Sequence, residues 1–427
     1  MAYEPPPQTG AAKAAALRRS HEYLMPYRVE TFDRMGVSLV IDRREGYRLW
    51  DLDGRELLDL HLNGGTFNLG HRNPELVATL LEGLERYDIG NHHFPSEPRS
   101  RLAEALADAS PGGVLRHVVL CPSGSEAIDV AVRSARHATG RRRVVAYDCA
   151  FHGRSGLSGA AGDDRVARFF HSDSGDFVKV PYDDLDALEA ALGGGDVAAV
   201  LCEVLPATAG FLLPSDGYFP AVRELCDRYG ALLIADEVQT GLGRTGVMWA
   251  IESFGVVPDI LVTGKGLSGG LYPVAAVLLA ERAAAWMHID GWGYVSTFGG
   301  SELGAVVAQR ALELSGDPAT LANVAAVSDA YASGFAELAA RYPFLVEVRR
   351  RGVVMALRFD HPMGGITMAR HLFDNGVWAM FCGFDLSTLQ WKPGLLVDSA
   401  FVEESLERFE RAIAAASAEV GAEASST

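Results

Sequence analysis

The sequence has few basic residues and no long apolar run, and each shortage excludes a class of protein. Lys and Arg together number 38 against 55 Asp and Glu, which gives a formal net charge of −17. Such a balance argues against a protein that binds nucleic acids or anionic membranes through a general positive surface. No run of about 18 residues avoids charge, glycine and proline, so we expect no membrane-spanning helix and no membrane association.

Cysteine is also scarce. The five cysteines are Cys121, Cys149, Cys202, Cys226 and Cys382, and no two of them form a Cys-x-x-Cys pair. An odd number with this spacing predicts neither a disulfide framework nor a zinc site. Because free thiols suit a reducing compartment, we expect a cytoplasmic protein that holds no metal.

The hydrophobic pattern predicts the fold class. At about 150 residues per domain, the 427 residues are enough for two or three domains. Short apolar runs alternate with helix-length segments at 117–121, 144–147, 197–202, 231–235, 260–263 and 273–279. This alternation predicts an α/β domain whose mainly parallel sheet is covered by helices on both faces. A hairpin at 46–60, and strands and helices beyond 315, predict a smaller α+β part.

The first candidate site segment is Ser123-Gly124-Ser125-Glu126, between a predicted strand and a predicted helix. Ser123 and Glu126 have the spacing of a capping box. Gly124 and Ser125 would place free backbone N–H groups at a helix N-terminus, where an anion is favoured. An ordinary capped helix explains the same four residues.

The second segment is the apolar run 231–235, which leads directly into Asp236. Sheets of this class bind ligands at the carboxyl ends of their strands, and burying a carboxylate is costly unless a cation compensates it. The alternative is an aspartate that only caps the next loop.

The third segment, 259–266, ends an apolar run in Gly264-Lys265-Gly266. The chain has only four lysines, and Lys13, Lys179 and Lys392 occupy less suitable surroundings. A partly desolvated lysine at the ligand edge of a sheet has a lowered pKa and can form a Schiff base. A solvated loop lysine is the alternative.

Together these segments place an anion cup, a carboxylate and an amine at one sheet edge. Phe151-His152-Gly153-Arg154 adds an aromatic ring. Pyridoxal 5'-phosphate requires a phosphate cradle, a carboxylate for its pyridine nitrogen, a Schiff-base lysine and a stacking surface.

In these motifs the sequence resembles the class III aminotransferases, pyridoxal-phosphate enzymes of fold type I. The resemblance extends from about Leu49 to Leu396, and further motifs carry it: Asn68-Leu69-Gly70-His71, Asp236-Glu237-Val238-Gln239-Thr240-Gly241, Gly243-Arg244-Thr245-Gly246 and Ser296-Thr297-Phe298-Gly299-Gly300. It implies an N-terminal arm and part of a small domain at 1–65, a large cofactor domain at 66–310 and the rest of the small domain at 311–427. It also implies a homodimer with shared active sites.

The resemblance further implies a role for each matching residue. Lys265 and Asp236 are the catalytic pair: the Schiff-base lysine, which also moves the proton, and the partner of the pyridine nitrogen. The residues expected to bind the cofactor are Ser123, Gly124, Ser125, Phe151, His152, Glu203, Asp236, Val238, Gln239 and Lys265, with Thr297 reaching in from the neighbouring subunit. Phe151 and Val238 would lie on opposite faces of the cofactor ring.

Two departures from the family bear on the substrate. Ornithine-type members pair an acid with an arginine, and the matching positions here are Thr208 and Gln390. Both halves of the pair are neutral, as expected if neither charge can be buried alone. Arg154 and Lys392 remain as cations that could bind a carboxylate, and on a strand Lys392 would share the face of Gln390. We therefore hypothesise that Arg154 serves substrates bearing a carboxylate and that dicarboxylates such as 2-oxoglutarate are poor acceptors.

The resemblance implies an aminotransferase that moves an amino group from an amine or amino acid to a carbonyl acceptor in ping-pong half-reactions through Lys265. An isomerase of the same fold (an aminomutase or amino-acid racemase) or a phospho-lyase would use the same cofactor residues. The segments 266–273 and 296–300 favour the aminotransferase.

Overall fold

The computed structural model describes residues 3–426, and the side chains of residues 3–422. The strands of this part are β1 Ile41–Glu45, β2 Arg48–Asp51, β3 Glu56–Asp59, β4 His117–Cys121, β5 Arg143–Tyr147, β6 Phe177–Val180, β7 Val197–Glu203, β8 Leu232–Asp236, β9 Ile260–Thr263, β10 Ala275–Leu279, β11 Leu345–Arg351, β12 Val354–Phe359, β13 Val377–Trp378, β14 Met380–Phe381 and β15 Thr388–Trp391. The helices are α1 Ala11–Tyr23, α2 Pro26–Arg34, α3 Leu62–Gly65, α4 Pro74–Leu84, α5 Glu97–Asp108, α6 Gly124–Thr139, α7 Gly156–Ala161, α8 Asp164–Phe169, α9 Leu185–Leu192, α10 Tyr218–Tyr229, α11 Glu281–Ala284, α12 Glu302–Gly316, α13 Pro318–Arg341, α14 Gly364–Asp374 and α15 Ser399–Ser426. In the described part, no helix is both long enough and apolar enough to cross a bilayer.

The central sheet has the strand order β4-β10-β9-β8-β7-β5-β6. Strands β9, β8, β7, β5 and β6 pair in parallel, which confirms the predicted α/β sheet. Only β10 is antiparallel to its two neighbours, β9 and β4. The reason is the connection from β9 to β10, which holds a single short helical turn and no crossover helix, so the chain returns antiparallel.

Helices cover both faces of this sheet, because successive strand side chains point to opposite sides. On β7, Ala199 and Leu201 belong to the cluster that contains the buried face of α6, whereas Val200 and Cys202 belong to the cluster that contains α10. Strand β4 runs in the same direction as β9, because both are antiparallel to β10. Helix α6 begins at Gly124, directly after β4, and therefore starts at the same sheet edge at which β7, β8 and β9 end.

Segments from both chain ends share the remaining sheets and one core. The predicted hairpin is confirmed as β2 and β3, and β3 pairs in parallel with β13, Leu58 opposite Val377. The second small sheet has the order β11-β12-β15-β14. A third hydrophobic cluster joins Leu58, Phe335 and Trp391. The division into a large domain at 66–310 and a small domain from both chain ends stays a prediction.

Candidate active site

A cavity of about 170 Å³ opens at the carboxyl edge of the central sheet. Its lining residues are Ser123, Gly124, Ser125, Phe151, His152, Gly153, Glu203, Asp236, Val238, Gln239 and Lys265. The structure thus brings together every residue expected to bind the cofactor except Thr297. Thr297 is exposed and does not line this cavity.

Lys265 supplies the amine of the cavity. It follows β9 and Gly264, and its backbone has φ +44°, a left-handed conformation that side-chain-bearing residues rarely adopt. Burial lowers the pKa of Lys265, while the negative charges of Asp236 and Glu203 oppose that shift. An amine with a lowered pKa is a better nucleophile near neutral pH than a solvated lysine.

Asp236 supplies the carboxylate, held from two sides. Its Oδ1 accepts a hydrogen bond from the Val238 backbone N–H at 3.0 Å. The ring of His152 donates from Nδ1 to Asp236 Oδ2 at 2.7 Å, and both residues are buried. The other nitrogen, His152 Nε2, is buried without a hydrogen-bond partner among the described residues. The imidazole therefore fixes the direction in which the carboxylate points.

Glu203 lies beside Asp236, since the two residues are register partners at the ends of β7 and β8. Its carboxylate accepts hydrogen bonds from the backbone N–H groups of Phe151 at 2.6 Å and Ala207 at 3.4 Å. Burial, and then the charge of Asp236, raise the pKa of Glu203. Because the two acids are this close, a proton is favoured on one of them. The hydrogen bond from the Phe151 backbone N–H to the Glu203 carboxylate anchors Phe151 at the cavity wall.

The N-terminus of α6 forms the anion cup. Ser123 Oγ accepts the Glu126 N–H at 3.2 Å, as a capping residue does. The second half of the predicted capping box is wrong, because the Glu126 carboxylate accepts from the Tyr294 hydroxyl at 2.8 Å instead. A Cβ on Gly153 would lie 2.3 Å from Ser125 Oγ, so only glycine lets this loop approach the cup.

The two predicted stacking residues stand on the cavity wall. Phe151 and Val238 are both half-buried. A Cβ on Gly124 would lie 3.3 Å from Val238 Cγ1, so the absence of a side chain at Gly124 keeps the cup open. Arg154 is exposed, with its guanidinium carbon 4.9 Å from the centroid of the Phe151 ring. It lies beside the cavity rather than in its lining.

Lys392 and Gln390 are not among the residues that line this cavity. Gln390 is on β15 and Lys392 directly follows the strand. Lys392 Nζ donates to Gln390 Oε1 at 2.5 Å and to Gln239 Oε1 at 3.2 Å. The predicted shared face is confirmed by this contact. Thr208, the other neutral substitution, is half-buried, and its carbonyl accepts the Phe384 N–H at 3.2 Å.

Sequence reasoning assigned no role to Arg244 or Gly64. Arg244 is 1% exposed and donates to Asn68 Oδ1 at 2.6 Å. Burial lowers its pKa to about 10. A Cβ on Gly64 would lie 2.9 Å from Lys265 Cε. The glycines that flank Arg244 were a usable signal, but nothing local connects Gly64 with a lysine 201 positions away.

These residues fit pyridoxal phosphate. The free N–H groups of α6 suit a phosphate, and Asp236 with its buried imidazole suits a protonated ring nitrogen. The group, when bound, supplies a carbonyl for an amine and an electron sink for a substrate carbanion. Fold and site together define a pyridoxal-phosphate enzyme of fold type I.

Comparisons with known proteins identify the family. The family model described as aminotransferase class-III matches residues 31–413. The chain is 42% identical over 405 residues to an uncharacterized aminotransferase of Archaeoglobus fulgidus, covering 95% of each chain. It is 35% identical to an acetylornithine aminotransferase of Xylella fastidiosa, covering 94% of this chain and 97% of the relative.

Solved structures agree with this assignment. N-acetylornithine aminotransferase from Stenotrophomonas maltophilia matches with a TM-score of 0.77 and 32% identity, covering 91% of this chain and 98% of the other. A transaminase from the marine bacterium Virgibacillus has the same fold, with a TM-score of 0.88 at 23% identity over 95% of this chain and all of the other. The chain belongs to the class III aminotransferases. It is a pyridoxal-phosphate-dependent aminotransferase, and no comparison favours the isomerase or the phospho-lyase.

Proposed function

We propose that the amino transfer is carried out by Lys265 and Asp236, in two half-reactions at the cavity described above. The observation that carries this proposal is that one cavity joins an amine with a lowered pKa to a carboxylate fixed by His152. Lys265 binds the cofactor and moves a proton at the reacting carbon of the substrate. Asp236 holds a proton on the ring nitrogen, and His152 keeps its carboxylate in place.

The remaining lining residues position the cofactor. Ser123, Gly124 and Ser125 bind its phosphate through the N-terminus of α6. Phe151 and Val238 hold the ring between them. Glu203 and Gln239 bind at its polar edge.

We further propose a homodimer in which Thr297 of a second copy completes the phosphate site. Thr297 is exposed and outside its own cavity, and the neighbouring Phe298 and Trp292 are 61% and 66% exposed. Exposed aromatic residues clustered on one segment indicate an interface. Mixing the Lys265→Ala and Thr297→Ala proteins tests sharing, because a mixed dimer holds one intact site if the sites are shared. Activity that does not rise on mixing contradicts the shared site.

For the acceptor, we propose a carbonyl compound with a single carboxylate. Gln390 and Thr208 are neutral, and Arg154, the outer cation, is exposed. An exposed charge pair contributes only about 0.2–1 kcal/mol, so Arg154 contributes modestly to the binding free energy of the acceptor carboxylate. The acetylornithine aminotransferases among the relatives thus indicate the type of reaction but not the acceptor.

We propose that the protein acts in the cytoplasm, which suits the five free cysteines.

The half-reaction is tested with donor alone. Enzyme loaded with cofactor and given an amine should release one carbonyl product per site and then stop. Freed of donor and given pyruvate, it should aminate the pyruvate. An isomerase would instead keep producing product from the first compound without any acceptor.

The acceptor class is tested by comparing pyruvate, 2-oxoglutarate and acetaldehyde in the wild type and in Arg154→Leu. If 2-oxoglutarate is the best acceptor and the variant changes none of the three, the acceptor proposal is wrong.

A further inference from the structure

Lys392 is a buried amine to which the reaction described above gives no task. Its side chain is 0% exposed, and its backbone N–H donates to the Leu60 carbonyl at 2.9 Å. The two oxygens that accept from Nζ belong to the neutral amides of Gln390 and Gln239. Among residues 3–422, Lys392 forms no ion pair with a carboxylate. A buried ammonium without a counter-ion is costly, so this position needs an explanation.

The charges around Lys392 are mostly positive. Arg244 and Lys265 both face it, and with burial they lower the pKa of Lys392 well below its usual range. The nearby acid, Asp59, is already used, since it accepts from His71 at 2.8 Å and from the Leu62 N–H at 2.8 Å. The other titratable neighbours are neutral: burial raises the pKa of the Cys382 thiol to about 12 and lowers that of the His61 imidazole. These surroundings therefore favour the uncharged form of the amine in the free enzyme.

Lys392 is connected to the cavity through one hydrogen-bond partner. Gln239, which accepts its hydrogen bond, lines the cavity together with Lys265. Gln239 and Lys265 both lie next to Gly64, because a Cβ there would lie 2.9 Å from Lys265 Cε and 3.6 Å from Gln239 Oε1. Two amide oxygens accept two N–H bonds from either the neutral or the charged amine. The third N–H of the charged form then remains free for an anion.

We propose, resting on the aminotransferase function above, that Lys392 binds the carboxylate of the acceptor and takes up one proton from solvent as that carboxylate arrives. An uncharged amine and a free carboxylate become an ammonium–carboxylate pair, and the only addition is the proton. When the bound compound has no carboxylate, the amine stays neutral and no charge is buried unpaired. One site thus accepts both a carboxylate-bearing and an uncharged partner.

The first test compares pyruvate with acetaldehyde, which is pyruvate without its carboxylate. Loss of one charge-assisted contact in Lys392→Met should lower kcat/KM for pyruvate by about 10–150-fold, with little change for acetaldehyde. Lys179→Met is the matched control, since Lys179 is a partly buried lysine outside the cavity, donating to backbone carbonyls. Equal losses for the two acceptors in Lys392→Met would show a merely structural role and overturn the proposal.

The second test needs no variant. In the wild type, the ratio of KM for pyruvate to KM for acetaldehyde should rise with pH, by up to about tenfold per unit, because pyruvate binding requires a proton. Taking the ratio cancels the pH dependence that comes from groups acting on both acceptors, such as Lys265. Calorimetric titration of the loaded enzyme with pyruvate, without donor, in two buffers of different ionisation enthalpy should show close to one proton taken up.

No proton uptake in the wild type, or an unchanged uptake in Lys392→Met, would overturn the proposal even if that variant is poorly active. An enzyme that transfers amino groups to no acceptor would instead contradict the proposed function. Because the proton count does not depend on turnover, the two failures are distinguishable.

Discussion

Gly64 leaves room for the reactive lysine, and alanine at this position should weaken cofactor binding without unfolding the protein. A Cβ there would lie 2.9 Å from Lys265 Cε and 3.5 Å from its Cδ. Carbon atoms pack at about 3.5–4.0 Å, so Cε would have to move by roughly 0.6–1.1 Å. In the cofactor-free protein the lysine side chain can rotate away from the new methyl group. Once its amine is joined to the cofactor, that freedom is lost.

Gly255 offers a closely matched control. Gly64 has φ +72° and ψ +22°, and Gly255 has φ +66° and ψ +23°, with no atom within 4 Å of the position that a Cβ would take there. In this left-handed conformation an alanine costs about 1–2 kcal/mol, so both variants should lose similar stability without cofactor. Only Gly64→Ala displaces the amine. Since a 1 Å misplacement at a reacting centre can cost about 100-fold, we expect kcat/KM to fall by about 10–100-fold in that variant alone.

The assay has three parts. Melting temperatures without cofactor should be lowered equally in the two variants. The rise in melting temperature on adding pyridoxal phosphate, and the dissociation constant from a spectrophotometric titration, should be impaired only in Gly64→Ala. Equal cofactor affinity and equal turnover in the two variants would refute the steric argument.

Three further outcomes are expected. Borohydride reduction of the loaded wild type, followed by peptide mapping, should place the cofactor on Lys265, and Lys265→Ala should fold but not be labelled; label on Lys392, the buried amine that donates to Gln239, would contradict the assignment. Asp236→Asn should keep its melting temperature yet lose at least about 100-fold in turnover, because a neutral amide does not keep a ring nitrogen protonated; near-normal turnover would show that another group does so. Burial raises the pKa of Glu237 to about 7, whereas the pKa of this carboxyl group in the unfolded chain has its ordinary value of 4.5. Between these two pH values the folded protein holds a proton that the unfolded chain has released. The free energy of unfolding should therefore decrease as pH rises from about 4.5 to 7, by up to about 3 kcal/mol, and urea titrations across this range should show a smaller decrease in Glu237→Gln; identical pH profiles would contradict it.

The sequence predicts the parts of the site that depend on local pattern. Asp236 and Lys265 each end an apolar run, and the carboxyl ends of parallel strands meet at one edge. Ser123 was recognisable because a helix cap has a sequence signature. These residues lie on one cavity in the structure, although their roles in catalysis stay predictions.

The rest depends on contacts between distant segments. The direction of β10 is set by a connection too short for a crossover, and the Glu126 carboxylate bonds Tyr294 because the fold brings the two together. The complete burial of Lys392 depends on how the end of β15 packs against the loop after β8. No periodicity in the sequence encodes this packing. Sequence analysis could name Lys392 as a cation near Gln390, but not that it is buried without a counter-ion.

The net charge of the whole chain does not determine which small anions the cavity binds. The chain carries a formal −17, yet the charge of Arg244 acts on both Lys265 and Lys392, and the pKa of Glu203 is raised towards its neutral form. At physiological ionic strength exposed charges beyond about 8–10 Å are largely screened, whereas buried ones are screened much less. The buried charges near the cavity therefore have more influence on what it attracts than the net charge of the chain has. A net negative charge excludes a polyanion, which must lie along the surface, but it does not exclude a small anion such as a phosphate or a carboxylate that enters a cavity.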